Sequence, residues 1–250
     1  NPWYKWFLNF FTDPYFGRLL KNTFMISGLT ILFGFPAPII LALMINEVKN
    51  SAFKRTVQTI TYMPYFISMV VMCGLLKTFC MQDGLFSQIA MAFGGSGQNF
   101  LANPDYFRTI YVLSDIWSGI GWNSIIYLAA LSSIDQEQYE AARVDGANRF
   151  KQMIHITLPG LVPTIMVLFI LRMGNILNVG YEKILLLYNS ATYITADVIS
   201  TYTYRLSFGG SGNPMYSKST AIGLFNTIIN VFFLMLTNMI SKKATDAGLF

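Results

Sequence analysis

A polar, helix-forming segment between two long apolar runs carries residue types suited to docking another protein. It reads Glu140-Ala141-Ala142-Arg143-Val144-Asp145-Gly146, and Ile156-Thr157-Leu158-Pro159 follows it. The Glu140 carboxylate can accept charged hydrogen bonds, and the two alanines keep one helix side low enough for close approach. These local features alone favour an ordinary amphipathic loop, and a docking surface is the alternative.

Arg172 is the most unusual polar residue inside an apolar run. A charge near the centre of a bilayer is costly, so it must face protein, water or a ligand. Two interpretations stay open. Arg172 has a structural role, in which it pairs with a buried partner such as Asp115 or reaches towards the outer loops, or it lines a pathway. Asn175 lies three residues later, on the same helix face.

Asp115, Gly119, Trp122 and Asn123 recur at helical spacing in the preceding apolar run. Aromatic rings stack on the apolar faces of sugars, while amide and charged groups bind the hydroxyls. The set suits a sugar pathway, although helix packing alone also explains Trp122. An unpaired Arg172 favours an acidic sugar, whereas an Asp115–Arg172 pair favours a neutral sugar. Both kinds of sugar stay open.

The other reactive residues form no catalytic or metal-binding set. His155 is the only histidine, and Cys73 and Cys80 lack metal-site or disulfide spacing. The basic residues behind the net charge of +5 are spread along the chain, which argues against a nucleic-acid surface. We therefore expect a protein that is not an enzyme.

Composition indicates an integral membrane protein. Of 250 residues, 54% are hydrophobic and only 12% charged, whereas roughly 25% are charged in soluble domains. A span needs about 20 mainly apolar residues. Five spans are predicted: about Thr23–Ile45, Val57–Phe79, Phe107–Leu131, Leu161–Val179 and Thr220–Ile240. We expect Pro36 and Pro38 to break and kink the first.

Basic residues orient the spans. They cluster in Asn46–Thr56, in the loop 132–160 and in the tail, which the positive-inside rule places in the cytoplasm. The opposite, external side holds Val179–Ser219, with one short helix expected at about Thr195–Tyr204. Three parts follow: an external N-terminal segment, 1–22; a transmembrane domain, 23–240, containing the cytoplasmic loop 132–160; and a cytoplasmic tail, 241–250.

Local signals predict a helix-turn-helix within the cytoplasmic loop. Asp135 caps a helix that starts at Gln136, with Gln138 in the capping-box position. Gly146 ends this helix in a left-handed conformation. A second helix runs from about Asn148 to Ile156, and the next span starts at Pro159.

The spacing from Glu140 to Pro159 resembles the loop by which ABC importer permeases contact their ATPase. This resemblance favours docking over an ordinary loop, and it implies an ATPase contact surface that consists of Glu140, Ala141, Ala142, Asp145 and Gly146. Four other stretches are similar to carbohydrate importers of the maltose type, especially the alginate, rhamnogalacturonan and LplB-like branch: Phe33–Leu43, Gln58–Ser68, Gly121–Leu131 and Gly174–Gly180. The resemblance covers essentially the whole chain. It implies an all-α integral membrane fold, the type I ABC importer transmembrane domain. Such domains usually have six spans, so the first is expected to be missing from this chain, which begins at Asn1.

The resemblance also implies an assembly in the bacterial plasma membrane. Its expected members are a second, homologous permease, two ATPase subunits that bind ATP and magnesium, an extracytoplasmic solute-binding protein and an oligosaccharide. No cofactor is expected in this multi-pass chain itself. By the same resemblance, Tyr65 and Ser68 join the substrate pathway formed by Asp115, Gly119, Trp122, Asn123, Arg172 and Asn175.

Two other functions remain open. In the first, the same machine carries a non-sugar solute; in the second, the chain is a stand-alone secondary transporter or channel. The latter requires intramembrane carboxylates for ion coupling, and Asp115 is the only candidate.

Overall fold

Helices dominate the chain, which we describe from a computed structural model covering residues 4–209, 214–245 and 248–249. These ranges contain no β-strand. The α-helices are α1 Lys5–Phe11, α2 Phe16–Leu29, α3 Pro36–Glu47, α4 Ser51–Tyr62, α5 Met69–Cys80, α6 Leu85–Ala92, α7 Pro104–Ser132, α8 Gln136–Val144, α9 Arg149–Gln152, α10 Leu158–Met173, α11 Tyr181–Leu187, α12 Tyr193–Ala196, α13 Ile199–Phe208 and α14 Tyr216–Thr245.

Two long helical rods each contain a π-helical turn shortly before a proline. A π-helical turn at Thr30–Gly34 joins α2 to α3, and another at Met153–Thr157 joins α9 to α10. Each turn ends two residues before a proline, Pro36 or Pro159. A proline ring clashes with the carbonyl one turn earlier, and a π turn relieves the strain locally. Helix α3 begins at Pro36, after the expected interruption of the first span, and α10 begins at Leu158, next to Pro159. Each apolar rod nevertheless continues across its π turn.

Four helical rods in the described ranges have the length and apolar composition of a membrane span: Phe16–Glu47, Met69–Ala92, Arg149–Met173 and Tyr216–Thr245. Helix α7 is also long, with 29 residues, but is more polar. It contains the predicted third span and carries Asp115 and Asn123 among its apolar residues. Its polarity suits a helix that lines a pathway.

The predicted second span, Val57–Phe79, is interrupted. Helix α4 ends at Tyr62, a 3₁₀ turn follows at Met63–Phe66, and α5 begins only at Met69. Pro64 lies in this turn and lacks the N–H needed to continue a helix. The apolar rod recognised as a span starts after the break, at Met69.

Helix α7 occupies the centre of the fold and contacts α3, α4, α10 and α12. Its crossing with α4 is very close, because a Cβ at Gly121 would lie 2.1 Å from the Thr61 carbonyl oxygen. The largest core cluster joins α7 to α2, α5 and α11 through Tyr111, Ile26, Met72 and Ile184. Side chains of α7 are thereby fixed relative to these three helices as well.

The stretch after α10 holds three helices, α11 to α13, where one was expected. Ile184 and Leu187 of α11 are fully buried in the largest core cluster. Asp197 then forms a bidentate ion pair with Arg205, with both N–O distances at 2.7 Å. Buried apolar residues and this ion pair make the stretch part of the fold rather than a surface loop.

Polar contacts place the N-terminal segment at the same end as α13. The Asp13 carboxylate accepts hydrogen bonds from Tyr202 at 2.6 Å and Lys218 at 2.7 Å. Burial alone would raise the pKa of Asp13, but these hydrogen bonds outweigh it and hold the pKa below its ordinary value. At the opposite end, Arg149 pairs with Glu47 at 3.3 Å. The loops therefore separate into two ends, as the basic residues predicted.

Candidate functional site

The predicted docking helix, α8, is defined by caps at both ends. The Asp135 side chain accepts a hydrogen bond from the Glu137 amide at 2.9 Å. Gly146 has φ +72°, a conformation that glycine adopts without strain. The amide of Gly146 donates to Arg143 O and that of Ala147 to Ala142 O, which completes a Schellman motif. Both ends agree with the sequence prediction, although Gln138 makes no capping-box hydrogen bond among the described contacts.

Helix α8 is anchored to the base of a spanning rod. The Tyr139 hydroxyl lies 2.9 Å from Thr157 Oγ1, in the π turn before α10. Gly160 leaves room for Ile134, whose side chain would lie 2.7 Å from a Cβ at that position. Helix α8 is therefore in direct contact with the rod that carries Arg172.

The exposed face of the loop combines charge and apolar surface. Glu140, Ala141, Asp145 and Gly146 are exposed, and Ala142 is half-buried. Sequence analysis did not single out Val144 and Phe150, which are 89% and 64% exposed. Such exposed apolar side chains beside a charged group are typical of a protein-docking surface. In the sequence, the only sign of this surface is that Val144 and Phe150 are apolar residues within polar helical segments.

Two cavities, which we call the outer and inner cavity, lie side by side along α7. Their volumes are about 330 Å³ and 190 Å³. Thr30, Asp115 and Arg172 line both. Asn175 lines the outer cavity, and Gly119 and Asn123 line the inner one. Five residues predicted for the pathway are thus brought together.

Asp115 pairs with a residue that sequence analysis missed. Lys183 of α11 approaches Asp115 Oδ1 at 3.4 Å, and its side chain is only 2% exposed. Arg172, by contrast, forms no hydrogen bond or ion pair with any residue of the described ranges, and its side chain is exposed. The Asp115–Arg172 pair considered above is therefore absent. Lys183 escaped notice because its neighbours along the chain gave no sign that α11 packs inside the bundle.

Tyr65, Ser68 and Trp122 do not line either cavity. The rings of Tyr65 and Trp122 stack with centroids 4.7 Å apart and planes at 5°. Phe66 meets Trp122 edge-on at 5.6 Å. The Ser68 hydroxyl caps α5 by accepting from the Val71 amide at 3.3 Å. The aromatic pair offers a second, separate surface, whereas Ser68 has a local structural role.

Comparison with known proteins identifies the family of the chain and related transport proteins. The family model described as "Binding-protein-dependent transport system inner membrane component" matches residues 34–246. The chain is 44% identical over 248 residues to protein LplB of Bacillus subtilis (strain 168), covering 99% of this chain and 77% of that protein. It is 41% identical to YteP of the same organism, a polygalacturonan/rhamnogalacturonan transport system permease protein, covering 98% of this chain and 76% of YteP.

A solved bacterial transporter has the same fold. A chain of an ABC transporter involved in the import of the acidic polysaccharide alginate superimposes with a TM-score of 0.92 and 46% identity, over 97% of this chain and 84% of that chain. A second structure is a bacterial alginate ABC transporter in complex with alginate pentasaccharide-bound periplasmic protein. A chain of it superimposes with a TM-score of 0.93 and 46% identity, over 98% of this chain and 85% of that chain.

Proposed function

The chain belongs to the family of inner membrane components of binding-protein-dependent transport systems, and we propose that it forms half of the pathway of an ATP-driven importer for acidic oligosaccharides. It is a multi-pass permease subunit of a transport system that works with a binding protein. A stand-alone secondary transporter or channel does not fit this family.

The proposed assembly has a second, homologous permease beside this chain and two ATPase subunits below it. ATP and magnesium bind in those ATPases, and this chain performs no hydrolysis. The exposed loop with Glu140, Val144 and Phe150 supports such a partner, because it offers one charged and two apolar contacts on a capped, anchored helix. Closure of the ATPases moves α8, and the Tyr139–Thr157 contact passes this movement to α10.

The proposal of an acidic cargo rests mainly on the unpaired guanidinium of Arg172. This group borders both cavities and lacks an anionic partner, so a cargo carboxylate can supply one. A guanidinium binds a carboxylate through two parallel hydrogen bonds. Two similar proteins point the same way, since one transports polygalacturonan or rhamnogalacturonan and another imports alginate, an acidic polysaccharide.

Neutral groups of the cavities suit the sugar hydroxyls. Asn123 lines the inner cavity, and Asn175 and Asn178 line the outer one. The Asn175 amide donates to Leu171 O at 3.1 Å, and Asn178 donates to Asn175 Oδ1. These bonds orient the two amides while leaving further donors and acceptors for hydroxyl groups.

Import by the reconstituted assembly tests the proposal. Proteoliposomes containing this chain, its partner permease, the ATPases and the binding protein are supplied with a uronate oligosaccharide or its carboxyl-reduced, neutral counterpart. Arg172→Gln should lower the acidic-to-neutral ratio of import rates by about tenfold or more, because a hydrogen bond to a charged group contributes roughly 1.5–3 kcal/mol.

Lys77→Gln is the matched control. Lys77 is an exposed basic residue near the end of α5 and lines neither cavity, so the ratio should stay at the wild-type value. Equal ratios for wild type and Arg172→Gln would refute the acidic cargo. Purification of a transport-competent homomer that lacks an ATPase would refute the assembly.

A further inference from the structure

We propose that Lys183 is a positioning residue for cargo selection: it holds Asp115, and thereby keeps Arg172 available to the carboxylates of the cargo. This inference rests on the proposed function and adds a residue of the external stretch to the pathway.

Lys183 is fixed by three contacts with α7. Its Nζ donates to the Tyr111 carbonyl oxygen at 3.0 Å and to Asp115 Oδ1 at 3.4 Å. The same atom lies 4.4 Å from the centroid of the Tyr111 ring. A buried ammonium requires such partners, because an unpaired charge inside a protein is costly. Lys183 therefore has one well-defined position, with its charge directed at Asp115.

Asp115 is the carboxylate best placed to compete for Arg172. Both residues line the outer and the inner cavity, and Asp115 remains 39% exposed. Arginine and aspartate form strong bidentate pairs when nothing else occupies them. Because the Lys183 ammonium pairs with Asp115 from the α11 side, the Arg172 guanidinium stays unpaired.

Glu182 is the other carboxylate of the outer cavity, and it does not replace Asp115. It is exposed, lines only the outer cavity and forms no ion pair with any described residue. Its side chain contacts the neighbouring Tyr181 hydroxyl at 3.5 Å. Adjacent residues of a helix point in different directions, which separates Glu182 from Lys183. Among the described residues, Asp115 and Arg172 are the only charged groups that line the inner cavity.

Removal of Lys183 leaves Asp115 unneutralised beside the cargo. The carboxylate then either pairs with Arg172 or repels an anionic sugar, and both effects disfavour acidic cargo. A neutral oligosaccharide experiences little of either. The change in selectivity should therefore disappear when Asp115 loses its charge as well.

The test compares Lys183→Met, Lys183→Met with Asp115→Asn, and Arg172→Gln in the reconstituted assembly. Methionine keeps much of the buried side-chain volume and removes the charge. Lys183→Met should reduce the acidic-to-neutral ratio of import rates about tenfold, comparable to the loss of one charge-assisted hydrogen bond. The double variant should return the ratio to within about twofold of wild type.

The outcomes separate the two proposals. An unchanged ratio in Lys183→Met, with a reduced ratio in Arg172→Gln, overturns the role of Lys183 and leaves the acidic cargo standing. Loss of both cargoes in Lys183→Met without rescue by Asp115→Asn assigns Lys183 to structure alone and also overturns the role. A wild type that prefers the neutral cargo overturns both proposals.

Discussion

Single side chains divide the pathway into a polar and an aromatic part. Arg172 and the asparagines line the cavities, whereas Tyr65 and Trp122 stack on each other outside them. Both aromatic residues keep nearly half of their surface exposed. An exposed aromatic ring can receive the apolar face of a sugar ring. The aromatic pair is therefore a candidate for an early or late contact with the same cargo.

Trp122→Ala tests this contact. We expect slower import of both acidic and neutral oligosaccharides, with an unchanged ratio, because stacking does not depend on charge. Aromatic pairs contribute roughly 0.5–1.5 kcal/mol, so the rate should fall severalfold. Trp117→Ala is the control, since Trp117 lies on the same helix with similar exposure, 48% against 41%, but borders an apolar groove. Equal effects of the two substitutions would assign Trp122 to packing.

At the scale of elements, local signals predicted local structure well. Asp135 and Gly146 marked the ends of α8 because capping depends on neighbours within one turn. At Pro36 and Pro159 a π turn accommodates the proline ring, and the apolar rod continues across the turn. The partner of Asp115 could not be found, because Lys183 is distant in sequence and only the packing of α11 brings it close.

Gly146→Val tests the turn after α8. Valine in a left-handed conformation costs roughly 1–2 kcal/mol, so the turn should distort and the import rate should fall. Gly146→Asn is the matched variant, since asparagine tolerates this conformation and should retain most of the activity. The measurement is import together with retention of the purified ATPase on the permease. Wild-type import by Gly146→Val would show that the turn geometry is dispensable.

The whole molecule places its two functional surfaces in different regions. The docking helix α8 lies at the end marked by the Arg149–Glu47 pair, and the opposite end contains Asp13, Asp197 and their partners. The outer cavity borders α11, which belongs to this opposite end, and α10 connects the cavities to the docking loop. The proposed coupling and cargo-selection surfaces therefore consist of separate residues, which predicts two separable classes of variant.

Glu140→Lys should uncouple ATP hydrolysis from import without changing selectivity. Reversing the charge repels the group on the ATPase that Glu140 is proposed to contact, so import should fall strongly while the ATPase still turns over. Residual import should keep the wild-type acidic-to-neutral ratio, in contrast to Arg172→Gln. Glu137→Lys is the matched control, because Glu137 is an exposed glutamate in the first turn of the same helix. If both charge reversals reduce import equally, the effect belongs to helix α8 as a whole; a normal import rate in Glu140→Lys would refute the coupling contact at this residue.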